Sequence, residues 1–140
     1  MPGTGAPYIL LAEDDHDFRV TLEKYSAQAG WYFDSVDDGE SLLKAAASRK
    51  YDVVVTDHVF DGQSSWSFLR RLQQQQPAQA IIIVAASKSV DDAVAALREG
   101  VSDYLLRPVD YDALKCAVER VLKGTRERGA QDSVFSFVDA

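Results

Sequence analysis

The chain has 140 residues, 46% of them hydrophobic, and its 22 acidic against 15 basic side chains give a formal charge of −7. Length and apolar content suit one domain with a full core. The acidic balance argues against a nucleic-acid-binding surface on this domain, which needs a basic face, although it is compatible with a DNA-binding partner domain on a longer parent chain.

Residues 1–7 read as a tail that lacks the basic start and apolar stretch of a signal peptide. No run reaches the roughly 18 apolar residues that span a bilayer, so a cytoplasmic protein without membrane contact is expected. Five short apolar segments, at 8–12, 31–36, 52–56, 80–84 and 103–106, alternate with five amphipathic ones. Ile9-Leu10-Leu11, Val53-Val54-Val55 and Ile81-Ile82-Ile83-Val84 are continuously apolar, as in strands buried on both faces. Phe18, Leu22, Tyr25 and Ala29 recur at helical spacing, and Gly30 stops that first helix. An Ala-rich stretch at 39–48 is the second helix, and Trp66, Leu69 and Leu72 mark a third that Pro77 ends. Ser89 with Asp92 three residues on reads as a capping box for the fourth helix, which Gly100 closes. Asp110 caps the fifth, which reaches about residue 123 and carries the lone Cys116 in a packing role among Leu114, Ala117, Val118 and Val121. One cysteine excludes an internal disulfide and a cysteine metal site. Residues 124–140 read as a tail or linker: 123–129 is charged and broken by glycine, whereas 134–138 is apolar enough to dock on the body or lead into a further domain.

Five strand–helix alternations predict an α/β fold, a three-layer sandwich with right-handed crossovers. Ligands in such folds bind beyond the carboxyl ends of the strands, where strand order reverses. Glu13 and Asp14 follow the first strand and Asp57 follows the third, so neighbouring strands would bring three acids together. Each pair at about 4 Å repels by roughly 4 kcal/mol at an effective dielectric near 20. A cation is therefore expected among them, and hard oxygen ligands suit Mg²⁺. Asp15 and Asp17 read instead as acids of a helix start.

Glu13-Asp14 after the first strand, Asp57 after the third, Gly100 before the fifth and Tyr104-Leu105-Leu106-Arg107-Pro108 at its end form one pattern. In order, spacing and element type it resembles the receiver domain of two-component response regulators, over residues 8–123. The resemblance implies a flavodoxin-like five-stranded parallel sheet of order 2-1-3-4-5 flanked by five helices. It also implies that Asp57 attacks a phosphohistidine of a sensor histidine kinase or phosphotransfer protein and becomes an acyl phosphate. Glu13, Asp14, Asp57 and the backbone carbonyl of Val59 would hold Mg²⁺, which neutralises charge and aligns in-line attack. A carboxylate suits the nucleophile because it needs no deprotonation near neutral pH. Such a module is a signalling phosphoacceptor, at most catalysing its own phosphorylation and dephosphorylation, rather than an enzyme. Its further partners would be an output domain or downstream protein, and a second copy through the fourth helix, fifth strand and fifth helix.

Three positions depart from that family's pattern. Ala85, followed by Ala86, stands where a Ser or Thr hydroxyl usually binds the new phosphoryl group and draws its loop inward. Arg107 stands where Lys is usual, as a phosphate or carboxylate contact with a different reach and a forked geometry. Asp61-Gly62 replaces a usual proline and adds negative charge. Without a hydroxyl at Ala85, inward movement of Tyr104 weakens unless Ser87 or Lys88 substitutes, and Tyr104 reads equally as a switch or as plain packing. These departures support an alternative, a degenerate receiver that binds partners without phosphorylation. His16 and His58 read as surface residues, and Trp31 and Trp66 as core or partner contacts. A hydrolase with an aspartyl nucleophile is disfavoured, because the loops are too short for a substrate cap.

Overall fold

The structure, a computed structural model, describes residues 5–57, 59–60, 63–64, 66–86 and 89–138, with the side chains of 59, 60, 63, 64, 66 and 125–138 outside that description. In chain order the first elements are β1 (Tyr8–Ala12), α1 (His16–Ala29), β2 (Tyr32–Val36), α2 (Gly39–Ser48) and β3 (Val53–Thr56). Then come β4 (Val59–Phe60), β5 (Gln63–Ser64), α3 (Trp66–Gln75), β6 (Ala80–Ala85), α4 (Val90–Arg98), β7 (Asp103–Leu106) and α5 (Tyr111–Val138).

Five strands make one parallel sheet in the order β2-β1-β3-β6-β7. This is the expected 2-1-3-4-5 order once the small antiparallel pair β4–β5 is set aside. Because side chains alternate across a strand, the continuous apolar runs feed both faces. Leu10, Ala12, Val54, Ile81, Ile83 and Ala85 pack with Leu42, Leu43, Leu69, Leu72 and Ala96 from α2, α3 and α4. Ile9, Leu11, Val53, Val55, Ile82 and Val84 pack on the opposite face with Leu22 of α1 and Leu114, Ala117, Val118 and Val121 of α5. Trp31 belongs to this second cluster, as a core residue just ahead of β2.

Helix ends follow local side-chain chemistry. The carboxylate of Asp15 accepts from the Phe18 N–H at 3.0 Å, and that of Asp38 from the Ser41 N–H at 2.7 Å. Ser89 Oγ accepts from the Asp92 N–H at 3.3 Å, and Asp110 from the Ala113 N–H at 2.7 Å. Each satisfies a donor that the first helical turn leaves unpaired. Gly30 closes α1 at φ 78°, a left-handed conformation that favours glycine.

Three details differ from the sequence reading. The hairpin β4–β5 is an addition, since two-residue strands carry no periodic signal. α5 runs through Gly124 to Val138 instead of ending near 123; Lys, Arg, Glu, Ala and Gln around Gly124 and Gly129 are good helix formers, and each glycine costs only about 1 kcal/mol. Cys116 is exposed on α5 rather than packed. Among the described residues no helix is long and apolar enough to cross a membrane.

Candidate functional site at the carboxyl end of the sheet

β1 lies between β2 and β3, so strand order reverses there, and its register sets Ala12 beside Thr56. The next residues of the two strands, Glu13 and Asp57, therefore leave the sheet side by side. Both are buried, at 2% and 6% exposure. The Glu13 N–H donates to the Val36 carbonyl at 3.0 Å, extending the β1–β2 ladder by one residue. Its carbonyl accepts from Arg19 Nη1 at 3.2 Å, and its Oε1 from the Asp15 N–H at 3.1 Å. The Thr56 hydroxyl donates to the Asp57 carbonyl at 2.9 Å.

The two acids meet on one cation. Arg107 Nη2 donates to Glu13 Oε2 and, at 3.1 Å, to Asp57 Oδ2. Arg107 is delivered by β7, whose pairing with β6 continues as its N–H donates to the Ala85 carbonyl at 2.9 Å. Its Nε donates to the Val84 carbonyl at 3.3 Å, and the guanidinium carbon lies 3.9 Å from the centre of the Phe18 ring. Charge-assisted bonds to two acids, a cation–π platform and low exposure together hold this side chain in place.

Electrostatics reflect the crowding. Burial pushes the Glu13 carboxyl up to about 7, while the Asp15 N–H and Arg107 pull it down and the Asp14 and Asp57 carboxyls add to the rise. Asp14 itself is exposed at the strand end. Tyr104 is half-buried against the core, and its hydroxyl pKa is raised by burial, then by Asp92 and Asp57.

The donors present, buried carboxylates of Glu13 and Asp57 with the exposed Asp14 next in sequence, are the hard oxygen ligands that suit Mg²⁺. Among the described residues no three His, Cys, Asp or Glu side chains are grouped to hold a metal ion, so the expected cluster of three acids is not preformed: Glu13 and Asp57 share Arg107, and Asp14 is exposed beside Glu13. Val59 lies in β4, in register with Ser64 of β5. Ala85 is fully buried at the end of β6 and offers only its backbone to Arg107. His58, Asp61, Gly62, Ser87 and Lys88, and the side chain of Trp66, lie outside the described residues. Phe18 and Arg19 were not foreseen at the site: Phe18 read only as part of an apolar helix stripe, and no spacing signal links it to Arg107.

The chain matches the family described as Response regulator receiver domain over residues 9–119. It is 32% identical over 120 residues to the DNA-binding transcriptional regulator NtrC of Escherichia coli K12, covering 86% of this chain and 26% of that protein. It is 33% identical over 131 residues to the transcriptional regulatory protein PrrA of Mycobacterium leprae, covering 91% of this chain and 54% of that one. The chain thus spans between about a quarter and about half of these relatives. Among solved structures, the signal receiver domain of a putative LuxO repressor protein from Vibrio parahaemolyticus superposes with a TM-score of 0.81 at 25% identity, over 89% of this chain and 96% of that one. The receiver domain of Francisella response regulator 1452 gives 0.78 at 28% identity, over 85% and 98%.

Proposed function

The chain belongs to the response regulator receiver domain family, and from that premise we propose that it is the phosphoacceptor module of a two-component signalling system. It takes a phosphoryl group from a sensor histidine kinase or phosphotransfer protein onto Asp57. What supports this is the placement of the Asp57 carboxylate at the reversal point of the sheet, beside Glu13 and hydrogen-bonded to Arg107.

An Asp57 carboxylate oxygen forms the new bond to phosphorus as the phosphorus–nitrogen bond of the donor imidazole breaks, and the departing imidazole takes up a proton from solvent. The Arg107 guanidinium can offer paired N–H donors to phosphoryl oxygens. Glu13, Asp14, Asp57 and the Val59 carbonyl would hold Mg²⁺, which when bound neutralises phosphoryl charge and favours in-line geometry. The buried position of Asp57 limits water around the acyl phosphate.

Output passes to a further domain or a separate protein, by likeness to relatives that are themselves transcriptional regulators. Val90, Val94 and Leu97 of α4 and Leu106 of β7 expose apolar side chains, a surface on which a partner or a second copy would dock.

A second reading is favoured by one observation: Arg107 already satisfies both buried acids, and Ala85 has no hydroxyl to sense a phosphoryl group. In that case the domain is a degenerate receiver that binds partners without phosphorylation. Incubation with a radiolabelled phosphohistidine donor and Mg²⁺ separates the two. Label on the wild type that Asp57→Asn removes supports the phosphoacceptor, and an unlabelled wild type leaves the degenerate receiver.

A further inference from the structure

Arg107 engages the two buried acids that would hold a metal ion. Its guanidinium already occupies one oxygen of each, Glu13 Oε2 and Asp57 Oδ2. Placing Mg²⁺ on them would bring a second cation against the first in a site with little water to screen them. Arg107 is also anchored independently of the acids. Its Nε holds the Val84 carbonyl and its guanidinium sits over the Phe18 ring of α1, so leaving Glu13 means leaving a fitted seat. A lysine could not reproduce this set, because it is a single point charge, whereas the planar fork engages carboxylates, a carbonyl and a ring at once.

Resting on the phosphoacceptor reading of this site, we propose that Arg107 is a tethered cation that excludes Mg²⁺ from Glu13. The metal enters only as the guanidinium leaves Glu13 and the face of Phe18. Arg107 thereby sets the metal affinity of the site, and its departure reports occupancy to α1.

Two measurements on the full chain test this. Calorimetric Mg²⁺ titrations compare wild type with Arg107→Gln and Arg107→Lys. Nitrogen-15 NMR follows the Arg107 Nε–H of the wild type during the same titration and needs no variant. Arg107→Gln should bind Mg²⁺ about tenfold more tightly, the scale of one charge-assisted contact no longer displaced. Arg107→Lys should fall between, and the Arg107 signal should shift with the calorimetric midpoint. Equal affinity in wild type and Arg107→Gln, no Mg²⁺ binding by Arg107→Gln, or an Arg107 signal unmoved at saturation would overturn the proposal. Phosphotransfer to Asp57, measured separately, keeps the two ideas apart. Labelling of Asp57 with metal affinity indifferent to Arg107 defeats the competition alone, and Arg107 displaced by Mg²⁺ without labelling defeats the phosphoacceptor alone.

Discussion

Replacing Glu13 by Gln keeps the size and shape of a buried side chain while deleting its titration. Burial holds the folded carboxyl at about 7, against an ordinary 4.5, even though the Asp15 N–H and Arg107 work in the opposite direction. Between those two values the native state binds a proton that the unfolded chain has released. The resulting stabilisation is complete below the unfolded pKa and is lost as pH rises through the folded one. At about 1.4 kcal/mol per pH unit, the wild type should lose on the order of 3 kcal/mol relative to Glu13→Gln between pH 4.5 and pH 8. Every other titrating group is shared, so subtracting the two stability–pH curves isolates this one. The amide introduced by the substitution adds a constant offset but no slope. Urea unfolding in metal-free buffer provides the curves, with chelator present because a bound cation would favour ionised Glu13 and flatten the difference. Parallel curves across this range would refute the view that burial outweighs Arg107 at Glu13.

Ala85→Thr supplies the missing hydroxyl in a fully enclosed position. It should cost about 1–3 kcal/mol by overpacking yet enlarge the beryllofluoride-induced shift of the Tyr104 NMR signal more than it changes Mg²⁺ affinity. A response left flat in this variant, where Asp57→Asn abolishes it, would contradict the role given to position 85. Gly39→Ala at the start of α2 would set a Cβ 2.5 Å from Cδ2 of Phe68 on α3. It should lower stability by about 1–3 kcal/mol in chemical denaturation, and a neutral result would mean that Phe68 yields freely.

Much of the fold was legible because its determinants are local or periodic. β1, β3 and β6 announce themselves by uninterrupted apolar runs that only a doubly covered sheet can bury. α1, α4 and α5 announce their starts by Asp15, Ser89 and Asp110, whose side chains bond N–H groups three residues on. Cys116 misleads because membership of a helical stretch is not membership of its buried stripe. It lies two positions from Leu114, and residues so spaced face different ways. The true course of α5 was hidden by Gly124, a weak breaker that flanking helix formers override.

The site was only partly legible, for a different reason. That Glu13 and Asp57 meet follows from strand order and from the register of Ala12 with Thr56. The place of Arg107 before Pro108 points to a phosphate or carboxylate contact, but not to one guanidinium bridging both acids. Arg107 is separated from Glu13 by 94 positions, and only the extension of β7 pairing to the Ala85 carbonyl brings it there. Phe18 shares that obscurity: its apolar helix stripe gives no sign of a guanidinium on its face.

The most direct test is intact-mass and fragment analysis of the chain after incubation with acetyl phosphate and Mg²⁺, with Asp57→Asn alongside. One added phosphoryl group that maps to Asp57 in the wild type and is absent from the variant is the predicted result. A wild type that gains no phosphoryl group, or gains one at another residue that persists in Asp57→Asn, would contradict it.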